Sequence, residues 1–486
     1  MIRNKGVLFG EIILFSFACI VNPSSLLQAQ SVIHSPDRYE QINPLFNFVL
    51  DGDPGCSLGI IEQNRLSYEK NVGLANLDWR VPISTSSIFD IASVSKQFTA
   101  TAIALLEIDG LLQIDDDVRK WIPDFKGYER PITIRHLLNH TSGIRDYLSL
   151  MNLAGIDFNN VFTEFDAVDL IVSQDALNFP PGDQFLYSNS GYLLAAHIVR
   201  LVTGQSLRSF LEERVFSPLG MTNTLIWDDN QEIVRERTTG YNFSSEKWEI
   251  DHLLNFQMGG DGQVLSSIED LAKWDANFYQ PAVGGTPLLD RLHTRGILNN
   301  GDTIDYALGL TVDEYRGLKR VMHTGSWGGF RANITRYPNQ KTTFILLCNR
   351  SDGTQNLNVT NLADIVLADH FTEVSTTDMN LRSDGAPLSQ QPQESPQVAI
   401  KPKQPDLNSL EEYIGEYRSA ELGVSFLVDL KEQRLTLERP NGVTTLSYSG
   451  NNRFTGDGLI VSFTGDNQMK IDTDRVLGIK FSKSEP

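Results

Sequence analysis

Two sets of strand-like runs bracket a long helical stretch, and that arrangement constrains the fold of this chain more than any single motif. Near the start, Ser57–Ile61 and Leu66–Val72 carry strand patterns split by a polar turn, after an amphipathic segment around Tyr39–Leu50. From Ser93 to Phe278 the pattern is predominantly helical. Val94, Phe98, Ala102 and Leu105 recur at helical spacing before Gly110, and Ser267–Asp270 predicts a capping box ahead of Leu271 and Trp274. Strand character returns over Ala307–Cys348, with turn signals at Gly317, Gly328-Gly329 and Pro338-Asn339, and a last helix is expected over Asn361–Phe371. Strands at both ends with helices between them predict the α+β class. One antiparallel sheet, its edge strands drawn from opposite ends of the chain, is flanked by helices and accompanied by a helical subdomain.

A chain of 486 residues is too long for one ordinary domain, and its composition places the boundaries. Pro387, Pro392, Pro396, Pro402 and Pro405 lie among Ser, Gln and Asp, so residues 375–405 read as a linker that buries little. Beyond it, Val424–Leu430, Leu435–Leu437 and Leu459–Phe463 are parted by Pro440-Asn441-Gly442 and Gly456-Asp457-Gly458. These predict a small C-terminal all-β domain over residues 406–486. The main domain is expected over 35–374. With every candidate catalytic residue ahead of Ser375, a chain ending there is expected to fold alone.

Arg3 and Lys5, then the mostly apolar Val7–Val21 and Leu27-Gln28-Ala29, predict a signal peptide over residues 1–29. The apolar run is short of the ~20 residues a spanning helix needs. The mature protein is therefore expected to be exported, periplasmic or extracellular, with no membrane span. Cys56 and Cys348 remain after the signal, each in an apolar strand-like run. Buried reduced thiols are expected, since a domain this large does not need a disulfide. The formal net charge of -20, with no basic run to offset it, excludes nucleic acid as a partner because the phosphates would be repelled.

Ser-x-x-Lys occurs at Ser67–Lys70, Ser93–Lys96 and Ser244–Lys247, and context separates the matches. Ser67 lies in a strand pattern, where residues three apart point to opposite faces. Ser244 sits in a polar stretch that reads as a loop. Ser93 stands at the mouth of an apolar-periodic helix, which puts Lys96 on its own face and favours developing negative charge. A serine hydroxyl needs such help to act as a nucleophile, although capping the helix is an equal use of Ser93. Tyr187-Ser188-Asn189 follows Pro180-Pro181-Gly182 and precedes a helix from Tyr192 to Val202; a tyrosine near a lysine can act as general base. Tyr337-Pro338-Asn339 has the same spacing and reads as a plain turn. His323-Thr324-Gly325-Ser326 lies on a strand beside Gly328-Gly329, where a backbone N–H can serve an oxyanion and a hydroxyl a substrate.

Ser-x-x-Lys, Tyr-x-Asn and His-Thr-Gly in this order resemble the class C β-lactamase and penicillin-binding-protein superfamily of serine hydrolases. Phe89–Thr99, Leu137–Gly143 and Asp261–Ser267 are similar to phrases of its β-lactamase-related, esterase and D-aminopeptidase-like branch. The resemblance spans about Ile42 to Phe371. It implies an acyl-enzyme on Ser93, with Lys96 and Tyr187 shuttling its proton. Asn189, His323, Thr324, Gly325 and Ser326 would bind substrate, with the N–H groups of Ser93 and Ser326 as oxyanion hole. The implied substrate is a small ester, amide or peptide, with no metal and no cofactor. His323 stands where penicillin-recognising members carry lysine. Being largely neutral at pH 7, with an ordinary pKa of ~6.5, it implies easy turnover of short esters and little of cephalosporins, with a gain for lactams near pH 6 as the ring charges. A sensor of cell-wall peptide or β-lactam that stays acylated is the alternative; an inactive interaction protein is disfavoured by the complete polar set.

Other residues carry less. His136 and His140 have the spacing of a helical metal pair, but Leu137 replaces the glutamate a metalloprotease needs. His197 lies in an apolar helix and reads as structural. Asp115-Asp116-Asp117 reads as a solvated helix entry. Arg145, Asp146 and Tyr147 are expected to border the pocket from their place in the family pattern.

Overall fold

The computed structural model describes residues 37–251, 255–352, 357–372, 407–465 and 467–484. The expected signal peptide and the proline-rich linker lie outside the described residues. In chain order the elements that position the site begin with strands β1 (Cys56–Glu62) and β2 (Arg65–Val72). Helices α1 (Lys96–Ile108), α2 (Tyr147–Ala154), α3 (Asn189–Thr203) and α4 (Ile268–Asn277) follow. Strands β3 (Thr311–Tyr315), β4 (Leu318–Trp327), β5 (Phe330–Tyr337) and β6 (Thr342–Cys348) then lead to α5 (Val359–Val366).

The α+β reading holds. Six strands form one antiparallel sheet in the order β3-β4-β5-β6-β1-β2, so N-terminal β1 is sewn onto β6 from the far end of the domain. Every residue of β1 and β6 is buried, which explains why their sequences lack clean alternation. One face packs Leu58, Ile60 and Phe344 against Leu362 and Val366 of α5. The other packs Ile61, Ile345 and Leu347 with Phe98 of α1 and Trp274 of α4.

The pairing of β1 with β6 overturns the expectation of reduced cysteines. Cys56 and Cys348 are direct register partners and form a disulfide, although 292 residues separate them. Both chemical readings of a buried cysteine fit an apolar run; only the register decides between them.

Among the described residues the C-terminal unit has nine strands: β7 (Gly415–Ser419), β8 (Val424–Lys431), β9 (Arg434–Arg439), β10 (Gly442–Thr445), β11 (Ser447–Gly450), β12 (Arg453–Gly456), β13 (Leu459–Thr464), β14 (Gln468–Asp472) and β15 (Ile479–Lys483). Their order is β10-β9-β8-β7-β15-β14-β13-β12-β11. The two edge strands are parted in sequence by Leu446 alone, so the sheet curls into a near-barrel around Phe426, Val428, Leu437, Val461 and Phe481. It does not hang free. Leu150 and Leu153 of α2 are buried in the same apolar cluster. Arg145, with 1% of its side chain exposed, pairs with Glu421 at 2.7 Å. This packing bears on the expectation that a chain ending near Ser375 folds alone, because the tail covers apolar and charged groups of the main domain; composition marks the linker but is silent on where the tail docks.

Candidate active site

A short 3-10 turn over Ala92–Ser95 feeds directly into α1. Ala92 adopts φ of 48°, a left-handed conformation that costs a non-glycine residue energy, and Asp90 Oδ1 accepts its N–H at 2.7 Å. That kink presents Ser93 to the surface of the lobe. Ser93 is not a cap: Ile91 and Ser95 occupy the cap positions of the two helix starts, and the Ser93 Oγ lies 3.1 Å from Lys96 Nζ. The other matches fall away: Ser67 bonds Arg65 O on exposed β2, and Ser244 pairs with Lys247 across a hairpin turn.

Lys96 is fully buried and makes two further contacts, donating to Asn189 Oδ1 at 2.8 Å and to the Asp261 carbonyl at 2.7 Å. Both are held in place. The Asn189 N–H donates to Asp146 Oδ2, and the segment ahead of Asp261 is tied to α1 by Thr99 Oγ1 donating to Gly260 O. Two N–H groups of Lys96 thus point at groups that can only accept. Its third tetrahedral position faces Ser93 Oγ, and in the amine form that position is a lone pair.

Tyr187 lies beside this pair, its ring centroid 5.0 Å from Lys96 Nζ and its buried hydroxyl without a partner among the described residues. His140, itself at φ of 58°, packs its ring at a tilt of 33° against Tyr187 with centroids 4.1 Å apart. Its Nδ1 accepts the Ser188 N–H, and burial, aided by the field of Lys96, pushes its pKa far down. Tyr147 donates to Asp261 Oδ2 at 3.1 Å, and burial raises both of their pKa values.

Strand β4 forms the opposite wall. Its pairing with β3 ends at Met322, so His323–Trp327 is paired with β5 on one side while its other edge meets Ser93. The approach is close: a Cβ on Gly325 would stand 2.3 Å from Ile91 O and 3.1 Å from Ser93 N. Ser326 is exposed there and Thr324 half-buried.

His323 departs from expectation. Its Nδ1 lies 2.6 Å from Thr324 O, a pure acceptor, so Nδ1 carries the proton and Nε2 accepts the Tyr306 hydroxyl at 2.8 Å. Burial and the field of Lys96 lower its pKa to about 3. The ring is neutral at pH 6 as at pH 8 and offers substrate no N–H. It positions Tyr306 instead.

The remaining expectations sort cleanly. Asp146 caps α2 and holds Asn189, and Tyr147 reaches the site, but Arg145 points into the β-domain. His136 Nδ1 accepts the Thr133 N–H while His140 faces Tyr187, so the two do not form a pair; among the described residues no His, Cys, Asp or Glu group is arranged to hold a metal. His197 contacts Glu164 at 2.7 Å as a structural histidine. Asp115 and Asp116 are surface-paired and Asp117 caps a turn. Tyr337 closes a turn with Gln340. Three contributors have no residue-level expectation behind them: the Asp261 carbonyl, Tyr306 and Arg475, whose guanidinium lies 5.1 Å from the Tyr187 ring centroid; His140, weighed only as half of a metal pair, packs on Tyr187 instead. Asp261 and His140 lie in the family-like segments Asp261–Ser267 and Leu137–Gly143; Tyr306 and Arg475 carry no local signal.

Comparison with known proteins agrees with this architecture. The Beta-lactamase family model matches residues 50–368. Penicillin-binding protein 4* of Bacillus subtilis is 32% identical over 310 residues, covering 60% of this chain and 68% of its own. A D-aminopeptidase of Brucella anthropi is 27% identical, covering 66% of this chain and 61% of its own, so the relatives extend beyond the match. Among solved structures, the octameric penicillin-binding protein homologue from Pyrococcus abyssi is similar over 92% of this chain and 99% of its own, with TM-score 0.60 and 22% identity. The D-amino acid amidase from Ochrobactrum anthropi SV3 is similar over 68% of this chain and 99% of its own, with TM-score 0.56 and 22% identity. Over residues 50–368, then, this chain belongs to the β-lactamase family of serine hydrolases.

Proposed function

We propose that the protein is an exported acyl hydrolase that cleaves a small ester or amide through an acyl-enzyme on Ser93. The observation that carries this is the Lys96 amine held by Asn189 and Asp261 so that its remaining position faces Ser93 Oγ. In this reading Ser93 Oγ attacks the substrate carbonyl carbon as its proton passes to Lys96. The N–H groups of Ser93 and Ser326 hold the resulting oxyanion. Tyr187 then gives its hydroxyl proton to the departing alcohol or amine and regains one from Lys96, and water releases the acyl group by the same route in reverse. D-aminopeptidase relatives and the amidase likeness support amides and small peptides alongside esters.

A fluorophosphonate probe is expected to label Ser93 alone. Ser93→Ala abolishes labelling and turnover, and Tyr187→Phe lowers kcat by at least about 100-fold, the scale of general acid–base loss. Adduct on Ser67 or Ser244 in peptide mass spectra would refute the assignment.

A further inference from the structure

The loop between β14 and β15 carries Arg475 across the domain boundary. Its backbone is fixed there, because the Arg475 carbonyl accepts the Asp146 N–H at 3.3 Å and Asn178 Nδ2 at 3.0 Å. Leu477 N–H returns a bond to Asn178 Oδ1 at 2.8 Å, and Arg145 donates to the Leu477 carbonyl at 2.9 Å. Within the loop, Thr473 Oγ1 accepts the N–H groups of Arg475 and Val476. The backbone is therefore pinned on both sides of the boundary.

The side chain is not. Among the described residues its guanidinium makes no hydrogen bond. Its ion partner is the adjacent Asp474, at 3.6 Å and itself 74% exposed, while the Arg475 side chain is 35% exposed. Arg331, across the ladder from Ser326, differs: its guanidinium donates to the carbonyls of Phe330 and Ser351. Arg475 thus presents a planar cation with unused donors over the Tyr187 ring.

We infer that Arg475 is a specificity-determining residue that binds a carboxylate carried on the leaving-group side of the substrate. The inference rests on the acyl-enzyme reading, in which Tyr187 serves the leaving group, so a cation at the Tyr187 ring lies on that side of the scissile bond. A guanidinium with free N–H groups matches a carboxylate in shape and charge. His323 offers neither cation nor donor, so the charge that β4 lacks is supplied from the β-domain.

Two esters of one acyl group test this, one leaving as 4-hydroxybenzoate and the other as neutral 4-hydroxybenzamide. The readout is the ratio of their kcat/KM values, which cancels general damage to the site. Arg475→Gln is expected to lower the ratio about tenfold or more, the scale of a hydrogen-bonded charge. Arg475→Lys should retain part of it, and Arg475→Glu should fall below Arg475→Gln. Saturation-transfer NMR adds a readout free of turnover: benzoate should bind wild type and lose binding in Arg475→Gln. Full Ser93 labelling with an unchanged ratio and unchanged benzoate binding overturns this inference and leaves the acyl-enzyme standing. Absence of labelling in wild type refutes the acyl-enzyme, and benzoate binding then decides the subsite by itself.

Discussion

Burial and the field of Lys96 hold the His323 imidazole at about 3, while Nδ1–H is committed to Thr324 O and Nε2 to Tyr306. That a histidine stands in the lysine position was legible from the sequence; that its ring is fully engaged was not, because Tyr306 approaches from a segment with no motif. The lactam-to-ester ratio of kcat/KM should accordingly be flat from pH 6 to pH 8. Stability should carry the titration instead. A histidine whose folded pKa lies below its unfolded value of ~6.5 leaves the unfolded state binding more protons between the two. Stability is then fully present above pH ~6.5 and is lost as pH falls toward 3, at up to about 1.4 kcal/mol per pH unit for this group. His140 and His293, the latter lowered to about 4 chiefly by burial, act in the same direction. The urea midpoint measured from pH 7 to pH 4 should fall less steeply in His323→Gln than in wild type. Parallel slopes would mean that His323 is protonated in the folded protein.

At the scale of elements, the site is a junction between the α1 entry turn and the free edge of β4. Its legibility was uneven for a physical reason. Local periodicity exposes a helix start, so Ser93 could be told from Ser67 and Ser244, and alternation exposes β4 and β5. Which strand lies beside which is a long-range choice that local pattern does not encode, and the Cys56–Cys348 bond followed from just such a choice. Gly325 shows the junction most sharply. It has no positive φ to require glycine; the requirement is the Ile91 carbonyl and the Ser93 N–H against its face. Gly325→Ala must push β4 away from Ser93, displacing the Ser326 N–H that the proposed mechanism aims at the oxyanion. Loss of one such donor lowers kcat by about 100- to 1,000-fold. Thermal melting with ester kinetics checks this: a folded Gly325→Ala enzyme with near-normal kcat would show that β4 does not supply the oxyanion contact.

For the whole molecule, the composition of the chain announces two units joined by a linker, and the docking of the second on the first is what it conceals. Arg145 illustrates why. In sequence it follows a glycine beside the pocket phrase, yet its guanidinium turns away from Ser93 to Glu421, Gln174 and the Leu477 carbonyl. Arg145 and Glu421 have side chains 1% and 5% exposed, so each is a buried charge that depends on the other. Removing one partner of such a pair costs about 3–5 kcal/mol, whereas replacing both with apolar residues is often neutral. A chain ending near Ser375 removes Glu421 and also uncovers Leu150 and Leu153, each worth about 1.5–3 kcal/mol when buried. It also strips the Asp146 N–H and Asn178 of the Arg475 carbonyl, and Asp146 is what holds Asn189 against Lys96. The truncated chain is therefore expected to melt lower, to aggregate through α2, and to label at Ser93 more slowly than the full chain. Glu421→Ala in the full chain separates the ion pair from the rest: it should cost about 3–5 kcal/mol in urea unfolding, and Arg145→Met with Glu421→Leu should recover most of that loss. A truncated chain as stable and as readily labelled as the full one would make the β-domain an appendage, and the Arg145–Glu421 contact would then contribute nothing to the acylation site.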